Sequence, residues 1–142
     1  MSVGKQSKRQ LDKIRQLVFD RDGQHCIAAG QYGFCGGPLT LQHRVGRGMG
    51  GSAKYDTPAH LVTFCAIHNE LQTANATFAM LCQSRGWSIP RWAVDRVAIT
   101  VIPCHYPGLG WHLLFEDGTV ELVPAMEANA MLLALYGEHW RF

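Results

Sequence analysis

Four apolar residues recur at helical spacing near the start of the chain. Leu11, Ile14, Leu17 and Val18 sit in KQSKRQLDKIRQLVFD, with Lys5, Lys8, Arg9, Lys13 and Arg15 at the other positions. The pattern predicts an amphipathic basic helix over residues 5–20, ended by Asp22-Gly23. Residues 26–38, CIAAGQYGFCGGP, read as a glycine-rich knuckle. A short apolar strand from Leu39 then leads through Gln42 into His43, and a glycine-rich basic loop carries Arg44 and Arg47. A second strand covers Leu61 to Cys65, and a helix begins at Ala66. Leu71, Ala74, Phe78, Leu81 and Cys82 keep to one side as far as about Arg85, where Gly86 is a stop signal. Trp87, Ile89 and Trp92 read as core or docking residues.

From Val97 the pattern changes to strands. VAITVIP reads as one strand ended by Pro103. WHLLF and TVELV read as a hairpin across Glu116-Asp117-Gly118-Thr119, because Asp-Gly is a strong turn signal. The closing PAMEANAMLLALYG predicts a short apolar helix with Pro124 near its start and Gly137 past its end. The expectation is an α+β fold: a zinc-bearing unit with the N-terminal helix over residues 1–95, and a strand-and-helix extension over 96–142 packed on it.

With 142 residues, the chain is long enough for one domain that buries about two-thirds of its unfolded surface. No run of eighteen apolar residues occurs, and MSVGKQSKRQ lacks the apolar stretch of a signal peptide. The reading is a cytoplasmic protein with no membrane partner. The net charge of +2 hides an asymmetry: residues 1–55 hold nine Lys/Arg against three Asp/Glu, and the remainder holds four against eight. A basic front half suits a face that meets phosphates, and equally an unevenly charged solvated surface.

Five cysteines in a reducing compartment do not suggest a disulfide framework. Cys26-x8-Cys35 and Cys65-x2-His68 instead supply two pairs of zinc ligands. The competing reading makes Cys26 and Cys35 small buried hydrophobes. A closed Cys3His site is structural and leaves no open position for water. Cys82 and Cys104 are assigned to packing, and His25 to an exposed neighbour of Cys26.

Phosphodiester hydrolysis needs a base for water, positive charge on the phosphate and stabilisation of the leaving oxygen. His43 at a strand end is the candidate base, with Arg44, Arg47 and Lys54 as candidate DNA contacts. Backbone amides of a GRGMGG loop can approach a phosphate closely, although such a loop also serves chains that need positive φ.

Taken together, HR…RGMGGS, then LV…C…N, then GW resembles the HNH endonuclease family, in particular the small versions found in actinobacterial phages. The resemblance covers Val18 to Trp92 and implies a ββα-metal hairpin. It places His43 on the general base, His60 on the central Asn position and Asn69 on the final metal-ligand position. Gln42 stands where an Asp or His often binds the catalytic metal. With neutral amides at Gln42 and Asn69, the expected Mg²⁺ or Mn²⁺ site is weak without DNA, and Mn²⁺ or Ni²⁺ outperforms Mg²⁺. The catalytic set implied is His43, His60 and Asn69.

The leading expectation is a metal-dependent DNA endonuclease, a hydrolase that nicks or cuts double-stranded DNA. The resemblance also implies genome packaging and cos-end cleavage beside phage terminase subunits. The first alternative is a catalytically weak, zinc-containing DNA-binding or assembly module. The second is a zinc-bearing protein-interaction domain with no role on nucleic acid.

Overall fold

The structure is a computed structural model that describes residues 7–46 and 53–137. Arg47 and most of the GRGMGG loop lie outside the described residues. Helix α1 spans Lys8–Arg21, opened by a capping box in which Gln10 N donates to Ser7 Oγ and Ser7 N donates to the Gln10 side chain. Of the expected stripe, Val18 is fully buried and Leu11 and Ile14 are half-buried. Leu17 lies against the turn at Gly118.

Strands β1 (Leu39–His43) and β2 (Leu61–Cys65) form an antiparallel hairpin, with Leu39 opposite Cys65 and His43 opposite Leu61. Every residue of β2 is buried, since its faces are covered by α1 on one side and the following helices on the other. The single helix expected from Ala66 to Arg85 is two helices, α2 (Ala66–Ala74) and α3 (Ala76–Ser84). Asn75 breaks it. Its backbone is extended, and its side chain accepts from Phe78 N to cap α3 while also accepting from the Tyr32 hydroxyl.

The segment after Gly86 holds a short helix, α4 (Arg91–Arg96), preceded by Trp87 and Ile89 in the core; Trp92 is exposed. VAITVIP is not a strand. Ile99–Val101 is a 3₁₀ turn that directs Ile99 and Ile102, three residues apart, into the core and leaves Val101 outside. Strands β3 (Cys104–Tyr106), β4 (Gly110–Leu114) and β5 (Val120–Val123) form a second antiparallel sheet in that order. Helix α5 (Ala125–Tyr136) closes the described chain between Pro124 and Gly137, as expected.

Two apolar clusters hold these pieces together. One gathers Val45, Tyr55 and Ala59 from around the hairpin with Ile102, Trp111 and Leu132. The other gathers Phe64, Phe78 and Trp87 with Cys104, Tyr106 and Leu114. Each draws on residues before and after position 96, so the C-terminal segment is packed into both. A buried ion pair adds a third link. Asp22, at the end of α1, accepts from Arg21, from Thr63 N in β2 and from the Tyr106 hydroxyl in β3 (2.6 Å). Arg21 in turn donates to Pro58 O and Leu61 O. With all these partners present, neither charge is left uncompensated. Among the described residues, no helix is long and apolar enough to cross a membrane.

Candidate metal centre and the adjoining histidine

The knuckle is held over the hairpin by backbone bonds. Ile27 N donates to Thr63 O, Ile67 N to Gly36 O and Ala66 N to Pro38 O, at 2.9 to 3.1 Å. This stitching brings together the four residues expected to bind zinc. The ligand atoms of Cys26, Cys35, Cys65 and His68 all lie within 4.8 Å of one another. His68 Nδ1 is 3.5 Å from Cys26 Sγ, 3.5 Å from Cys35 Sγ and 3.2 Å from Cys65 Sγ. A tetrahedral zinc with Zn–S of about 2.3 Å and Zn–N of about 2.05 Å has N···S edges of about 3.6 Å. The three N···S distances are close to those edges, so the group is compatible with a zinc site.

The second nitrogen of His68 supports the same assignment. Nε2 lies 2.5 Å from Tyr32 O, so it carries the proton and leaves Nδ1 unprotonated toward the sulfurs. Cys65 is the N-cap of α2 and accepts from His68 N. Burial works against its thiolate, but hydrogen bonds from His68 and Gly36 win and bring its thiol down to about 6. Burial and neighbouring thiols push Cys26 up to about 12, and burial raises Cys35. One thiolate is thus favoured, while burial and repulsion between neighbouring thiolates oppose ionisation of the others, a cost that a bound divalent cation would offset. Cys82 and Cys104 are buried, with thiols pushed up to about 12 and about 11 by burial, and belong to the packing. His25 is exposed, its ring within hydrogen-bond distance of Gly23 O.

His43, last in β1, has 28% of its side chain exposed, and its Nε2 is 2.7 Å from Oδ1 of Asp56. Asp56 lies in the turn between the 3₁₀ segments Ala53–Tyr55 and Pro58–His60 and is almost wholly buried. His60 is not bonded to His43; its Nδ1 lies 2.6 Å from Thr57 Oγ1, with Glu116 at 3.9 Å. Burial holds its imidazole below the ordinary value, and the Glu116 charge opposes this.

Gln42 and Asn69 reach different carbonyls. Gln42 Nε2 donates to His43 O, whereas Asn69 Nδ2 donates to Leu41 O and to Thr40 Oγ1. Their amide oxygens are neutral ligands, and among the described residues the one group of three or more His, Cys, Asp or Glu side chains placed to hold a metal is the zinc-type cluster. This does not fit a preformed site for a hard cation such as Mg²⁺.

Arg44 needs correction. Expected on DNA, it is completely buried, with Nε on Gly86 O (2.7 Å) and its two terminal nitrogens on Ala59 O and Ile102 O (2.9 Å each). β1 ends at His43, the chain bends at Arg44, and three carbonyls of irregular backbone receive its guanidinium. Lys54 is exposed, with its ammonium 4.9 Å from the Tyr55 ring centre. Arg91 was missed by sequence reasoning. It is exposed at the start of α4, bonds Gly46 O and lies 5.4 Å from the same ring. Lys54 and Arg91 thus share Tyr55, which directly precedes Asp56. Asp56 was missed as well; a lone Asp thirteen positions from a histidine carries no local signal. No family model, curated protein or solved structure matches this chain.

Proposed function

We propose that the protein is a zinc-stapled DNA endonuclease with His43 as the general base. The observation that carries this reading is the His43 ring at the end of a strand, partly open to solvent and hydrogen-bonded to a buried carboxylate. The imidazole takes a proton from water, the resulting hydroxide attacks phosphorus, and the P–O bond to the leaving sugar oxygen breaks. That oxygen takes its proton from solvent. Lys54 and Arg91, beside the loop that carries Asp56, supply positive charge for a phosphate. Zinc on Cys26, Cys35, Cys65 and His68 would hold the knuckle to the hairpin and α2, leaving no ligand position for water. His60 and Asn69 act as supports of the Asp56 loop and of β1.

A second reading, a zinc-containing DNA-binding or assembly module, is favoured by Gln42 and Asn69, which offer no anionic ligand to a cation. Nicking of supercoiled plasmid in Mg²⁺, Mn²⁺ or Ni²⁺ distinguishes the two. The endonuclease reading expects cutting in at least one metal, lost in His43→Ala with its zinc retained. Salt-sensitive DNA retention without cutting in any metal selects the binding module. A role beside phage terminase subunits during genome packaging remains part of the endonuclease reading, resting on the HNH resemblance.

A further inference from the structure

Asp56 has no counterpart in the motif that singles out His43, yet its carboxylate is hydrogen-bonded to that ring. We propose that Asp56 is the positioning residue of the His43 base, fixing the imidazole as the Nε2–H tautomer so that Nδ1 is the atom that accepts the water proton. This deepens the endonuclease reading and rests on His43 being its base.

The argument starts from hydrogen-bond inventory. A carboxylate is an acceptor only, so a ring nitrogen 2.7 Å from Asp56 Oδ1 must carry a proton. That nitrogen is Nε2. In a neutral imidazole the proton is then absent from Nδ1, which becomes the basic atom.

The segment that carries the carboxylate is tied down on both sides. Tyr55, directly before it, is buried in the larger apolar cluster, and Lys54 and Arg91 lie over its ring. On the other side, His60 N donates to Thr57 O and Arg44 N donates to His60 O, tying the turn back to the residue after His43. The backbone bond from Arg44 to His60 thus fixes the span between the two partners. His43 lies in a strand whose register with β2 is set by five residue pairs. Neither partner therefore relies on the other for its place, which is the condition for pre-organisation. As the proton leaves water, the ring becomes imidazolium, and the buried anion stabilises the charge that forms.

The test is long-range ¹H–¹⁵N correlation on the His43 ring, together with plasmid nicking, for the full-length zinc-loaded protein and its Asp56→Asn and Asp56→Glu variants. In the unaltered protein His43 is expected to show one protonated nitrogen, Nε2. Asp56→Asn, whose amide can donate as well as accept, is expected to lose that single-tautomer signature. Its kcat should fall by about 10²- to 10⁴-fold, by analogy with the serine-protease Asp→Asn change, with KM for DNA and zinc content unchanged. Asp56→Glu should recover part of both. A ring protonated on Nδ1 in the unaltered protein overturns the proposal. So does an Asp56→Asn variant that keeps the tautomer, whatever happens to its rate. Should the unaltered protein show the Nε2–H tautomer yet cut DNA in no metal, the endonuclease reading falls, and with it the positioning role; Asp56 is then only the partner that sets the His43 tautomer.

Discussion

Replacing Arg44 with lysine separates a phosphate contact from a structural clamp. Arg44 is fully buried, and its guanidinium fills three carbonyl acceptors from separate parts of the chain: Ala59 before β2, Gly86 after α3 and Ile102 before β3. Among the described residues no carboxylate pairs with it, and burial pulls its pKa down from the ordinary arginine value. A lysine has the same charge and nearly the same apolar stem but one nitrogen in place of three, so it reaches one carbonyl and strands two. A buried acceptor without a partner costs about 1–3 kcal/mol, so Arg44→Lys should lose about 3 kcal/mol. At about 3 °C per kcal/mol for a domain of this size, the melting temperature should drop by about 10 °C. Differential scanning calorimetry of the zinc-loaded protein measures this directly. Arg91→Lys is the control: at an exposed site it should move stability by no more than about 0.5 kcal/mol, while weakening salt-sensitive retention on DNA. Unchanged melting with weakened DNA binding in Arg44→Lys would refute the clamp and restore the surface reading of this residue.

Elemental analysis should find one zinc per chain, and His68→Ala should abolish it; a strong chelator should remove cooperative melting, because knuckle, hairpin and α2 meet at those four ligands. Gly86→Ala should cost about 3 kcal/mol or more, read from the urea midpoint. Gly86 has φ +75°, and an added Cβ would lie 2.0 Å from Pro103 O, a backbone atom with no room to yield. His60 should make the fold sensitive to mild acid. Burial places its folded-state pKa below the ordinary 6.5, so below about that pH the unfolded chain binds a proton the folded chain resists. Stability should therefore decline as pH falls from 6.5, and His60→Asn should flatten that part of a urea-midpoint profile measured between pH 7.5 and 5.5.

Local signals sufficed for several parts of this protein. The α1 stripe, the β4–β5 hairpin across Asp117-Gly118 and the bounds of α5 between Pro124 and Gly137 each depend on residues no more than 13 positions apart. The four zinc-ligand candidates were legible for the same reason. Cys65-x2-His68 is a single helical turn, and the soft ligand chemistry of Cys26 and Cys35 needs no fold to be recognised. Helix breaks and irregular segments were not legible. Asn75 reads as one polar residue inside a helical pattern until Tyr32 and the Phe78 amide claim its side chain. VAITVIP has strand composition, yet two isoleucines three apart reach the core better from a 3₁₀ turn. The side-chain partnerships were decided by tertiary structure alone. Arg44 beside His43 looks like a phosphate ligand in one dimension, but the folded chain sends its side chain to three backbone carbonyls and that of His43 to Asp56. Sequence fixes which chemistry a residue carries. Whether that chemistry meets solvent or spends its hydrogen bonds inside depends, for Arg44, on segments 42 and 58 positions away, which only the folded chain brings within 3 Å.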